Sequence, residues 1–464
     1  MFRGSSLFHK THNKTESDEL LSRRSQGGKK RPDGKIQQAR MERVMMGRSL
    51  AIALDKKVDM ALVLTSPLTP IPLCFFHIDG VMSKTPKSSL FHVLEKRLPI
   101  PCNPSIDVHI FDGFFLLHLL VDLPLTFGKI AYHLMSKICR MNAKRVDLVF
   151  DQVIAPSIKD IERDRRSDCD RNDTVFISGL NQKRPSDSLR ALRNDSFKKE
   201  IVIFFIDFFY DDSFSSVIGE KTVRVTLESK CFIFTAAGGR VLRELDERLS
   251  NVQEEADTKM ILHLSTITGP ANVTIRTSDT DVLAVALWNI DKIKDGVHVF
   301  LEVGLLSKNT LRYVDVTSLS INLGSSLCKA LPGFHAFTGC DNTPSFAFKG
   351  KIRPFTLLEK YASAQNAFSK LGSVKMLSDS IIDEFEKFVC QMYGTTGVEC
   401  VDEGRFLSFI KVYKPKDKMP MAKGDCTPSS LDDMLVDVSD ETSDDEPQYK
   451  SEWESDSDNS ADEN

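Results

Sequence analysis

The residues best suited to chemistry in this sequence are carboxylates that close apolar runs. Asp112 follows the run Ile106 to Phe111, Asp151 follows Val146 to Phe150, and Asp279 follows Val273 to Thr277 with Asp281 two positions on. Glu255 and Asp257 also lie two apart, in the segment Glu254 to Leu264, and Asp341 comes later, in Phe337-Thr338-Gly339-Cys340-Asp341. Hard divalent cations take oxygen ligands, and Mg²⁺ is usually held by a few carboxylates, water and substrate phosphate. Two such ions about 3.5–4 Å apart activate a water and stabilise the leaving oxygen of a phosphodiester. Gathered together, these acids point to a divalent-metal site; taken singly, each also reads as a helix N-cap or a turn residue.

Whether they gather depends on the elements that carry them. Ile106 to Phe111, Val146 to Phe150, Val273 to Thr277 and Val297 to Leu301 read as strands, and Ser88 to Leu98, Phe127 to Met141, Ile201 to Phe209 and Val282 to Trp288 as helices. Gln37 to Leu54 also has helical spacing. Arg240 to Leu264 reads as one long helix, with Glu255 and Asp257 near its middle. Thr222 to Leu227 and Lys230 to Thr235 form a hairpin within an insertion of about residues 170–238. Strands separated by helices imply an α/β fold with a mostly parallel sheet covered on both faces. Ligands of such sheets sit at the carboxyl ends of the strands, where Asp112, Asp151, Asp279 and Asp281 fall.

These motifs resemble the PIN-like superfamily, and within it the flap-endonuclease and XPG-type nucleases, over roughly residues 105 to 360. Phe111-Asp112-Gly113 is similar to the Asp that ends the family's first strand, and Val149-Phe150-Asp151-Gln152 to its V-F-D-G. Glu255-Ala256-Asp257-Thr258 resembles E-A-E-A, with Asp in place of the second Glu. Asp279-Thr280-Asp281-Val282-Leu283 matches D-x-D-x-L, and Gly339-Cys340-Asp341-Asn342 resembles the motif that opens the family's DNA-binding helix–turn–helix. The resemblance implies a three-layer PIN-like fold holding two Mg²⁺ or Mn²⁺ ions on Asp112, Asp151, Glu255, Asp257, Asp279, Asp281 and Asp341. Lys159, Arg163, Arg165 and Arg166 look like the family's gateway helix, whose cations reach the scissile phosphate, and Lys349 and Lys351 like phosphate contacts of the helix–turn–helix. The stretch from Cys169 to Arg240 does not match the family's helical arch. A run His335 to Asp341 also resembles uncharacterised animal proteins associated with mobile elements.

The chain has 464 residues, 41% hydrophobic and 27% charged, enough apolar material for a large core. Net charge is −4, but from Thr427 the last 38 residues carry 14 acids against Lys450, so the tail is −13 and the remainder +9. That balance suits a polyanionic partner, which the resemblance implies is nucleic acid, DNA ahead of RNA, with the acidic tail open to a protein partner. Ten cysteines without a C-x-x-C pair and ten histidines without zinc spacing argue against a zinc site or a disulfide framework. With no apolar leader or spanning run, a reducing, non-membrane compartment is expected, and Arg23-Arg24 with Lys29-Lys30-Arg31 suits a nuclear address. The expected organisation is a disordered basic tail (1–34), a partly helical extension (35–104), a PIN-like domain (105–415) and a disordered acidic tail (416–464). The expected function is metal-dependent hydrolysis of phosphodiester bonds in structured or single-stranded-ended nucleic acid. The alternative is a nuclease-derived interaction module that has lost its chemistry.

Overall fold

The computed structural model describes residues 55–66, 71–77, 80–99, 103–120, 123–152 and 176–413, together with Val44, Arg48 and Ile52. These fall into two units divided between Val63 and Leu64. In the first, Met60–Val63 forms a single helical turn. The helix expected over Gln37 to Leu54, both tails, and Lys159, Arg163, Arg165 and Arg166 lie outside the described residues.

The second unit is built on one eight-stranded sheet, ordered β5-β4-β3-β2-β1-β6-β7-β8. The strands are β1 Val108–Asp112, β2 Arg145–Val149, β3 Thr222–Leu227, β4 Lys230–Ala237, β5 Arg240–Leu245, β6 Ala271–Arg276, β7 Val297–Val303 and β8 Arg312–Asp315. The five strands β3, β2, β1, β6 and β7 run parallel, while β4 runs against β3, β5 against β4 and β8 against β7. The hairpin β3–β4 therefore extends the main sheet, because β3 pairs in parallel with β2.

Central strands are apolar almost throughout because helices cover both faces. In β1, Val108 and Ile110 enter one core and Phe111 the other, as a period of two requires. The helices that matter for the site are α1 Ser88–Glu95, α2 Gly113–His118, α3 Phe127–Cys139, α4 Asp195–Phe208, α5 Ala256–Ser265 and α6 Thr280–Trp288. After β8 follow α7 Val316–Leu323, α8 Ser325–Phe337, α9 Ile352–Lys360, α10 Ala362–Lys370, α11 Asp379–Met392 and α12 Val401–Tyr413. Helix α3 buries Phe127, Ile130, Ala131, Leu134, Met135 and Ile138, one face at helical spacing. Each large side chain fully removed from water there contributes roughly 1.5–3 kcal/mol. Among the described residues no helix is long and apolar enough to cross a membrane.

The long helix expected over Arg240 to Leu264 does not form. Gly238 and Gly239 both have positive φ, 59° and 79°, and make the two-residue turn that folds β5 back on β4, with Ala237 opposite Arg240. Cross-strand pairing thus overrides the helix-favouring composition of Arg240 to Leu249. The helix begins only at Ala256, so Glu255 is its N-cap and Asp257 lies in its first turn, not mid-helix.

A buried charge network fixes the pose of α5. Asp147, in the middle of β2 and fully buried, accepts from His263 Nδ1 at 2.7 Å and Arg145 Nε at 2.9 Å. Burial opposes ionisation of Asp147, yet the His263 and Arg145 contacts hold its carboxyl far below the usual range.

Candidate metal centre

The chain runs from β1 outward through β2 to β3, then returns to the other side of β1 with β6 and β7. The crevice between β1 and β6 is therefore the switch point at which α/β sheets bind ligands. Asp112 ends β1 and Asp279 follows β6, facing that crevice from both sides.

Three of the aspartates start helices. Asp112 Oδ1 accepts from the amide of Phe115 at 3.0 Å and caps α2. Asp279 Oδ1 accepts from the amide of Asp281 at 2.9 Å and caps α6. Asp151 Oδ1 reaches across to the amide of Ala256 at 2.7 Å and satisfies the N-terminus of α5 from a different element. Each such bond answers a helix amide that lacks an internal partner, and contributes about 1 kcal/mol. Capping and site building are here one arrangement, since the caps bring the carboxylates together. Gly113 permits it on the β1 side: a Cβ there would lie 2.3 Å from Phe150 Cε1.

One oxygen from each of Asp257, Asp279 and Asp281 can lie within 4.8 Å of the others, the spacing of a set able to hold a metal ion. Asp112 and Asp151 are close enough to act on them electrostatically. Burial, then the charge of Asp151, pushes Asp112 up to about 7. Burial, then Asp279, Asp112, Asp151 and Asp281, pushes Asp257 up to about 8. Asp279 is also raised, by burial and by Asp281, against the pull of Lys87. Asp281 goes the other way: burial opposes ionisation, but a 2.6 Å contact with His335 Nε2 and the charge of Lys87 bring it to about 2. An all-oxygen set of anionic donors, half-buried and mutually repulsive, fits a hard divalent cation. Asp257 accepts no hydrogen bond among the described residues, so its charge is relieved by a proton or by a cation.

The structure thus gathers Asp112, Asp151, Asp257, Asp279 and Asp281. Glu255 holds the N-cap position of α5 and Asp341 lies at the rim, both outside the three-residue set. Asp341 is placed by Gly339, whose φ of 105° and 2.8 Å approach to the Ser345 backbone exclude a side chain. Lys351 does not reach outward as expected. It is fully buried, its ammonium donating to the carbonyl of His335 and to Thr338 Oγ1, both at 3.0 Å, so it closes the end of α8. Lys349 lies 4.7 Å over the ring of Tyr393.

Two residues escaped the sequence reading. Lys87, just before α1, places its ammonium 3.0 Å from Asp279 Oδ1, 3.4 Å from Asp281 Oδ2 and 2.9 Å from Asp341 Oδ2. Nothing local in the sequence ties it to acids 192 residues away. His335 did carry a signal, since it opens the run ending at Asp341. Beside Asp151, Lys198 and Lys199 of α4 line a small recess with Phe114, Phe150 and Glu228. The fully buried Lys259 donates to the carbonyls of Phe150, at 3.2 Å, and Glu228, at 3.0 Å; burial pulls it down to about 8.

Compared with known proteins, the chain matches no family model and no curated protein.

Proposed function

We propose that this chain is a divalent-cation-dependent phosphodiesterase of the PIN-like, flap-endonuclease kind, acting on structured or single-stranded-ended nucleic acid. The observation that carries the reading is the meeting of Asp257, Asp279 and Asp281 within 4.8 Å, at the switch point of a parallel sheet. Asp112, Asp151, Asp257, Asp279 and Asp281 would hold the cation. Bound Mg²⁺ or Mn²⁺ supplies a polarised water and charge stabilisation at phosphate oxygens. Lys199, paired with Glu228, and Lys198, 3.7 Å from Asp195, place positive charge beside Asp151, for which a phosphate backbone would compete. The +9 balance outside the acidic tail supports a polyanionic substrate, and the basic cluster at residues 23–31 a nuclear address.

One observation favours a second reading, a nuclease-derived binding module. Lys87 neutralises Asp279, Asp281 and Asp341 from within, as a site that has given up its ion would require. The readings separate on purified full-length chain with Mn²⁺ or Mg²⁺ and a panel of flaps, hairpins and single strands. Cleavage is expected to fall about 100-fold or more in Asp279→Asn/Asp281→Asn, given what electrostatic stabilisation contributes at such sites. Equal cleavage by both proteins removes the enzymatic reading, and none by either supports the binding module.

A further inference from the structure

The acidic cluster has two unlike ends. At the Asp112–Asp257 end, among the described residues, Asp112 meets backbone amides and other carboxylates, and the charges that act most on Asp257 are carboxylates. Lys259, whose charge is felt by Asp151, spends its bonds on the carbonyls of Phe150 and Glu228. At the Asp279–Asp281–Asp341 end two nitrogen donors are already installed. His335 Nε2 lies 2.6 Å from Asp281 Oδ1, and Lys87 Nζ is 3.0 and 3.2 Å from the two oxygens of Asp279, 3.4 Å from Asp281 Oδ2 and 2.9 Å from Asp341 Oδ2. A strongly hydrated ammonium takes such a seat only where anionic oxygens replace its water.

Lys87 is held there by a packed element. Helix α1 buries Leu90, Phe91 and Leu94 in the core, and Glu95 pairs with Arg312 at 3.0 Å. The carbonyl of Lys87 accepts from Thr280 Oγ1 at 3.3 Å, which pins the residue to the start of α6, the helix that carries Asp281. An ion bonded to the same Asp279 and Asp341 oxygens would have to share them with a cation fixed by the fold.

We propose that Lys87 is a built-in cation standing in for a second ion, so that the protein binds one divalent ion in the acidic cluster rather than two. This rests on the metal-site reading above and sharpens it. The ammonium does the electrostatic work of the second ion: it neutralises Asp279, Asp281 and Asp341 and presents positive charge to one side of an incoming phosphate. It cannot generate a nucleophile, so water activation stays with the one bound ion.

The test is the binding stoichiometry of metal-stripped full-length chain, titrated with Mn²⁺ and followed by loss of the free-ion paramagnetic resonance signal. Wild type and Lys87→Arg are expected to bind one Mn²⁺, and Lys87→Ala two. Lys87→Gln, which keeps most of the stem without the charge, repeats the measurement should the alanine variant lose its circular dichroism. Two ions in wild type, or one ion in a folded uncharged variant, overturns the inference and leaves the metal site standing. Failure of every protein to bind Mn²⁺ overturns the metal-site reading itself, and this inference with it.

Discussion

Asp257 is the carboxylate whose behaviour is best fixed by its surroundings. Burial and four neighbouring acids raise it from an ordinary 3.8 to about 8, and among the described residues no hydrogen bond compensates. In the unfolded chain it loses its proton near pH 4, whereas in the fold it keeps it to about pH 8. Between those values the unfolded state binds fewer protons, so the contribution to stability falls as pH rises and levels off above pH 8. A displacement of about four pH units has a ceiling of ~6 kcal/mol, which solvent at a half-buried carboxylate reduces to roughly 2 kcal/mol. Asp257→Asn removes this cost and forfeits a charge at the start of α5 that is worth only about 0.3–1 kcal/mol. The variant is therefore expected to be about as stable as wild type at pH 5 and more stable by roughly 2 kcal/mol at pH 9, in urea denaturation with a chelator present. With Mn²⁺ at 100 times its dissociation constant, wild type should gain about 2.7 kcal/mol and the variant much less. A variant no more stable than wild type at pH 9, or a gap that does not change with pH, would refute the account of Asp257 as repelled and unrelieved.

Because Asp112 sits at about 7 and Asp257 at about 8, both are partly protonated at neutral pH, and ion binding should expel protons. Calorimetry of Mn²⁺ binding at pH 7 in two buffers of different ionisation enthalpy should show release of about one proton, fading by pH 9.5, with affinity rising over that range; no buffer dependence at pH 7 counts against it. Gly113→Ala drives a methyl into the ring of Phe150, itself 1% exposed and unable to step aside, and should cost about 2–3 kcal/mol in urea denaturation. A cost under about 0.5 kcal/mol would mean that β1 and α2 are not packed as described.

The sequence made the central strands plain because a strand covered on both faces is largely apolar, and β1, β6 and β7 are written that way, while β2 carries the paired Arg145 and Asp147 among its apolar residues. Their carboxyl-end acids followed directly, so Asp112, Asp151, Asp279 and Asp281 were legible as a group. The segment from Arg240 to Leu264 was not, because its composition favours helix while its pairing is set by Gly238 and Gly239 and by a partner strand. That error displaced Glu255 and Asp257 within α5 without removing Asp257 from the site. Lys87 was invisible for a different reason: a lone lysine before an amphipathic helix has no local partner, and only the docking of α1 on α6 brings it to the acids.

The caps on α2, α5 and α6 have a further consequence. Asp112, Asp151 and Asp279 would be retained by a lineage that never cut a phosphodiester again, since each anchors the start of a helix. Their survival in a relative is therefore poor testimony to catalysis. Asp257 has no such second employment, and a descendant without its ion would shed this residue first and become sturdier for doing so.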